Sequence, residues 1–502
     1  MNQRIRKILS CLTLCALLAA LWQVPAAAAG GIADVPEDFW AAGDIQRAVE
    51  EGYFFLEDGG TFGTGKEMTR AEAVVVLCRF FGWKPTLPPR QVYQDVPENL
   101  WYAGAVEAAF LQGAITIQGG EFHPDKPAAR QDLAAMLVRA LGYGTFAGLA
   151  QDLSLPFQDV KANTGYIAIA YGLGLMDGAT VSTFAPEAPV LREQMAVILM
   201  RLHDKLYGEP ASGRAGILSS ADNLPDLKGY EAVAISALRL AYNGSPQLSL
   251  NMEDEEVQRA REAAKEAKVP QLLHVSGGPY QLRENAEEMA AVLLEAVKEG
   301  GYDGLFLDIS GLTTTPQRNE LTAVAAALRE GLGKKLLYMA AETPSWHGRL
   351  PGYDYASLGE YVDRLVLKID SPVEHANGIV TAPPEPLEEI YFALNRMRGL
   401  VDAGKLSLMV TTHGTAWGEE SEGEIVTGGE IAELMAEQWA KVYYSDRYAC
   451  AYLETADETT AVWYLNGQSI QERNQLARLF GVDQLCAAEL DDALPELVEA
   501  LP

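Results

Sequence analysis

Four carboxylates, a histidine and a tryptophan follow strand-like runs in the second half of this 502-residue chain: Asp308, Glu342, Asp370, Glu489, His413 and Trp417. Two carboxylates at a suitable separation can hydrolyse a glycosidic bond, one giving a proton and the other attacking or activating water. An indole such as Trp417 can stack on a sugar face. The same acids can also be solvated, or paired with Lys368. A second group lies in the first half, where Arg70, Arg130 and Arg192 each open an apolar helical stretch and Trp40 and Trp101 precede two of them. A guanidinium at a helix start adds a fork of donors to the positive end of the helix dipole, which suits an anion. The competing reading makes the tryptophans core anchors and the arginines solvated. No Gly-rich phosphate loop, nucleophile elbow or calcium loop appears, and no cofactor or metal is expected.

Three repeats position the first group. Asp34-Val35-Pro36, Asp95-Val96-Pro97 and Asp159-Val160 recur roughly sixty residues apart, and Trp40 and Trp101 follow the first two at equal spacing. Thr61-Phe62, Glu121-Phe122 and Thr183-Phe184 come next, then Thr69-Arg70-Ala71-Glu72, Ala129-Arg130-Gln131-Asp132 and Leu191-Arg192-Glu193-Gln194. Each unit reads as helix, loop, helix. Trp101, Ala105, Ala108 and Ala109 share a helical face with Gly113 as the stop, and Thr69 with Glu72 forms a capping box. One short helix pair cannot bury its apolar face, so the units must pack on each other.

These residues resemble S-layer homology repeats, with units over 32–88, 92–148 and 156–207 and a linker over 208–214. The resemblance implies an all-α module that holds an exported bacterial protein to a secondary cell-wall polysaccharide, commonly pyruvylated, in grooves between repeats. It makes Arg70, Arg130 and Arg192 ligand candidates and Trp40 and Trp101 sugar platforms. The third unit departs from the pattern, with Leu191 at the cap and Gly165-Tyr166 near the expected Trp.

The second half alternates strands and helices. Strands are expected at Ala215–Ser219, Ala232–Ala237, Gln271–Ser276, Gly304–Ile309, Lys335–Ala340, Arg364–Ile369, Leu406–Thr411 and Gln484–Ala488. Helices fall between them at Glu253–Lys268, Arg283–Glu299, Gln317–Leu332 and Glu385–Val401, with hairpin character over Tyr448–Tyr464. Buried strands with intervening helices argue an α/β fold, a parallel (β/α)8 TIM barrel over 215–502, whose chemistry sits at the strands' C-terminal ends.

Tyr302-Asp303-Gly304-Leu305-Phe306-Leu307-Asp308-Ile309-Ser310 resembles the fourth-strand motif of family-18 glycoside hydrolases, the chitinase-like group. Tyr353-Asp354-Tyr355 and His413-Gly414-Thr415-Ala416-Trp417 follow in the matching order. Activity in that family needs Asp-x-Asp-x-Glu, and the matching positions are Phe306, Asp308 and Ser310. A serine cannot act as the general acid. The family's strand-six Tyr falls on Ile369 and its strand-eight Trp on Ala488. The resemblance thus implies a barrel without chitinase-type activity that binds a peptidoglycan or chitin-like glycan through Asp308, Ser310, His413 and Trp417. The alternatives are an active glycosidase with carboxylates relocated among Asp308, Glu342, Asp370 and Glu489, and a surface-layer scaffold.

Composition and the N-terminus bound these readings. With 69 acidic against 39 basic side chains the formal charge is −30, which argues against nucleic acid. Arg4, Arg6 and Lys7, an apolar stretch over Ile8–Trp22 and the small residues Ala26–Ala29 form a signal-peptide pattern over 1–29. Secretion to a bacterial cell wall follows, with no membrane span once the signal is cleaved. Cys78, Cys450 and Cys486 remain, too few and too scattered for a disulfide framework or a zinc site.

Overall fold

The computed structural model describes residues 31–86, 92–116, 120–208, 213–282, 285–343, 352–369, 371, 374–376, 379–381, 383–418, 421–455 and 459–502. The expected signal segment, residues 209–212 of the expected linker and the candidate Asp370 lie outside them. The chain divides into two compact units, Met1–Asp204 and Lys205–Pro502.

In the first unit, the repeated aspartates organise the loops. Asp34 accepts hydrogen bonds from the backbone N–H groups of Phe62, Gly63 and Thr64 at 2.6, 2.7 and 2.8 Å. Asp95 does the same for Phe122 and His123, and Asp159 for Phe184 and Ala185. The residue after each Phe has positive φ: Gly63 84°, His123 57° and Ala185 57°. That conformation costs a non-glycine residue free energy, and the carboxylate compensates by binding the turned-out N–H. Each loop thereby drives its Phe inward, and all three are buried.

The repeats close into a ring through their backbones. Met68 N–H donates to Val190, Val190 N–H to Ala128, and Ala128 N–H to Met68, at 2.8–2.9 Å. Isolated β-bridges, Glu67↔Leu191, Thr69↔Pro127 and Ala129↔Pro189, flank this triangle. The helices Arg70–Phe80, Arg130–Ala140 and Arg192–Tyr207 start from it. The Thr69–Glu72 capping box is formed. Helix periodicity does not register these bridges, which join repeats through coil residues. A second expectation also changes: the helix of the second repeat spans Ala103–Leu111, so Trp101 precedes it and does not share its buried face. Trp40 and Trp101 are 62% and 68% exposed, so neither is a core anchor.

The second unit is a closed barrel of eight parallel strands. In spatial order these are β1 (Gly213–Leu218), β16 (Gln484–Ala487), β10 (Leu406–Val410), β7 (Arg364–Lys368), β6 (Leu336–Glu342), β5 (Gly304–Ile309), β4 (Gln271–Gly277) and β2 (Ala232–Tyr242). Pairing of β1 with β2 completes the circle, and β3 (Pro246–Leu250) extends β2 antiparallel. Side chains alternate along a strand, so Phe306 joins the inner core with Leu272, Tyr338, Val366, Met409 and Cys486. Asp308 is one inward step closer to the C-terminal mouth. The expected hairpin over Tyr448–Tyr464 is part of a larger body. It is a five-stranded antiparallel sheet, ordered β12 (Glu422–Val426), β11 (Gly414–Gly418), β15 (Thr460–Tyr464), β14 (Cys450–Glu454) and β13 (Lys441–Ser445). Helix Glu385–Val401 is shorter than expected, Leu387–Met397. Pro386 disfavours helical backbone at the residue before it, which leaves Glu385 in the loop.

Candidate functional site

The barrel mouth holds a cavity of about 590 Å³. Of the candidates, Asp308, Glu489, His413 and Trp417 line it, as do Ile369 and Ala488, the positions where the resemblance expects Tyr and Trp. Glu342 is not among its described lining residues. Its carboxylate accepts from Gly311 N–H at 3.0 Å and lies 3.2 Å from Tyr353 Oη, while Tyr355 Oη donates to its carbonyl at 2.7 Å. Glu342 is therefore committed to holding the loop after β5.

Lys368, the last residue of β7, reaches across to β5. Its Nζ donates to Asp308 Oδ1 and Oδ2 at 3.2 and 3.0 Å and to Ser310 Oγ at 2.8 Å. Ser310 Oγ donates in turn to Asp308 Oδ1 at 3.0 Å. The Lys368 ammonium thus bridges the Asp308 carboxylate and the Ser310 hydroxyl. The network is closed on itself.

The sequence reading missed Glu385. It is 6% exposed and lines the cavity, its Oε1 accepting from Thr411 N–H at 2.8 Å. Among the described residues its Oε2 has no hydrogen-bond partner, and Arg473 Nε forms an ion pair with it at 3.9 Å. Burial pushes the carboxyl up to about 7, against the opposing pull of Arg473 and the Thr411 N–H. Arg473, fully buried, donates to the carbonyls of Ala449, Ser469, Pro384 and Glu385 and to Cys450 Sγ. It fixes the Glu385 backbone, whose φ is 47°. The only sequence signal was an acid set among Pro383, Pro384 and Pro386.

Other polar atoms at the cavity also find no hydrogen-bond partner among the described residues. His274 donates or accepts through Nδ1 at 2.9 Å from Ser236 Oγ, but its Nε2 is buried and unpaired. Burial lowers its pKa to about 4, so the ring is neutral at physiological pH. His413 Nδ1 and Trp417 Nε1 are likewise buried and unpaired. Burial also raises the Glu489 carboxyl, with the charge of His413 opposing. Four polar atoms at one cavity are thus left to hydrogen-bond with whatever enters it, water or a polar ligand.

In the first unit the three arginines lie at the seams between repeats. Arg70 Nε donates to the Phe122 carbonyl, Arg130 Nε to that of Phe184 and Arg192 Nε to that of Phe62. Each guanidinium also lies over the same Phe ring, at 5.1, 4.7 and 5.0 Å. Arg70 pairs with Asp132 and lines a groove of about 250 Å³ with His123 and Arg139. Arg130 and Arg192 give their remaining hydrogen bonds to carbonyls, Asp177 and Phe55.

Residues 32–74 and 156–196 match the S-layer homology domain. The chain carries S-layer homology repeats. An S-layer protein of Bacillus thuringiensis subsp. finitimus is 29% identical over 209 residues, which is 40% of this chain and 25% of that protein. An endoglucanase of Bacillus sp. (strain KSM-635) is 29% identical over 230 residues, 41% of this chain and 24% of that enzyme. The chain thus spans about a quarter of the length of these curated relatives. A class V chitininase structure from Pseudomonas fluorescens Pf-5 resembles it with a TM-score of 0.50 at 20% identity, covering 58% of this chain and 98% of that one. The likeness is one of fold, a chitinase-like barrel. The S-layer homology repeats and the S-layer relatives mark a cell-surface, S-layer-associated secreted protein. No helix among the described residues is long and apolar enough to cross a membrane.

Proposed function

We propose that the S-layer homology repeats hold this protein to a wall polysaccharide and that the barrel binds a glycan without hydrolysing it by the family-18 route. The units are 32–88, 92–148 and 156–207 for the repeats and 215–502 for the barrel. The observation that carries the barrel's part is the Lys368–Asp308–Ser310 network, which holds a serine and an ammonium, and no carboxylic acid, at the position the resemblance gives to the acid. The unpaired His413, Trp417 and Glu385 atoms support retained binding. For anchoring, the exposed indoles of Trp40 and Trp101 are suited to stack on sugars, and the groove where Arg139 and His123 stand beside the Arg70–Asp132 pair is suited to meet an anionic one such as a pyruvylated residue.

The protein is to be incubated with peptidoglycan and chitooligosaccharides while binding and new reducing ends are measured. Binding without new ends is the expected outcome. Reducing ends that disappear in Asp308→Asn would overturn it in favour of a wall-anchored glycosidase. That second reading is favoured by the raised pKa values of Glu385 and Glu489, which would suit an acid relocated to the opposite wall.

A further inference from the structure

Two carboxylates stand at the cavity wall, Glu385 with the buried Arg473 Nε 3.9 Å from its Oε2 and Glu489 beside it with no ion pair among the described residues. Lys368 is spent on Asp308, leaving that pair neutral. Glu385 and Glu489 flank Thr411–His413, the segment leaving β10: Glu385 holds the Thr411 N–H, and Glu489 lies within the field of His413. Among the described residues the Glu385 Oε2 accepts no hydrogen bond, and Arg473, 3.9 Å away, offsets its charge only in part because its own hydrogen bonds go to carbonyls and a thiol. Asp491 and Asp492 add further negative potential behind Glu489. Carboxylates buried without full compensation are costly, and a cation that enters beside them recovers part of that cost.

Two positions of the cavity wall are apolar where the resemblance expects hydrogen-bonding side chains. Ile369 and Ala488 line it with hydrocarbon where a phenol and an indole are expected. Aliphatic side chains there offer no hydrogen bond to an acetyl carbonyl.

From this we infer that the barrel cavity selects amine-bearing sugars, that is, de-N-acetylated hexosamine residues, whose ammonium is received by Glu385 with Glu489 as the second carboxylate. The inference rests on the glycan-pocket reading above and names its ligand class. The formal charge of −30 works in the same direction, raising the local concentration of a polycationic glycan.

The test is calorimetric titration of the full protein at pH 7 with three hexamers: glucosamine, N-acetylglucosamine and glucose. The glucosamine hexamer is expected to bind at least about tenfold more tightly than the other two, as one well-placed ion pair allows. Glu385→Gln should erase most of that preference, and Glu489→Gln should erase part of it. Equal or tighter binding of the N-acetylated hexamer overturns the inference while leaving the glycan pocket standing. A glucosamine preference that survives both substitutions also overturns it, because the attraction then belongs to the acidic surface at large. If no hexamer binds, the pocket reading falls as well.

Discussion

The Nε of Arg192 donates to the carbonyl of Phe62 at 2.6 Å, joining the last repeat to the first. Phe62 has its N–H held by Asp34 of its own repeat and its C=O held by an arginine of another. Phe122 and Phe184 are held in the same way, by Asp95 with Arg70 and by Asp159 with Arg130. The repeated Asp, Phe and Arg are three parts of one joint, used three times around a ring.

Arg192→Ala should therefore lower the stability of the repeat unit by about 2–4 kcal/mol, through the lost charged hydrogen bonds and the uncovered Phe62. Thermal unfolding of the unit measures this. A shift below about 0.5 kcal/mol would mean that the clamp is solvated and contributes nothing.

Trp40→Ala with Trp101→Ala should behave in the opposite way. Both indoles are more than half exposed, so unfolding should change by less than about 0.5 kcal/mol. Co-sedimentation with purified cell walls should nevertheless fall severalfold. Unchanged sedimentation would remove the tryptophans from the anchoring surface.

Restoring the missing acid should not restore chemistry. In Ser310→Glu the new carboxylate would face Lys368 Nζ, which lies 2.8 Å from the serine oxygen it replaces. An ammonium at that distance holds a carboxylate ionised and unable to protonate a leaving group. Reducing-end assays on chitooligosaccharides should stay at background for Ser310→Glu. Turnover in that single variant would show that Lys368 does not block the position.

Two buried groups give the barrel opposing pH dependences. Glu385 titrates at about 7 in the fold against 4.5 when unfolded, so the fold retains its proton more firmly, and that stability is lost as pH rises from 4.5 to 7. His274 titrates at about 4 against 6.5, so its contribution is present above 6.5 and is lost as pH falls towards 4. The two largely cancel between these limits. Relative to the parent, Glu385→Gln should gain stability with rising pH across that window, by at most about 3 kcal/mol. His274→Gln should gain it with falling pH. Parallel curves for parent and variants in urea unfolding at pH 4.5, 6 and 7.5 would contradict both assignments.

The sequence alone determined the repeats and the strand order, for a physical reason. Asp34, Phe62 and Arg70 recur because each repeat must satisfy the same turned-out backbone, and recurrence at a fixed period is visible without coordinates. The β5 segment Gly304–Ile309 was legible because a strand buried on both faces must be apolar almost throughout. Asp308 at its end was conspicuous as the exception. What Arg70, Arg130 and Arg192 touch was not legible, since their carbonyl partners lie 52, 54 and 130 residues away. Glu385 was invisible for the same reason. A carboxylate's chemistry depends on burial and on which groups approach it, and Thr411 and Arg473 reach it only when the barrel closes. Sequence named the acids that end strands; only the closed fold decided that Glu342 would hold a loop, Asp308 would be paired and Glu385 would be buried at the cavity wall beside Arg473.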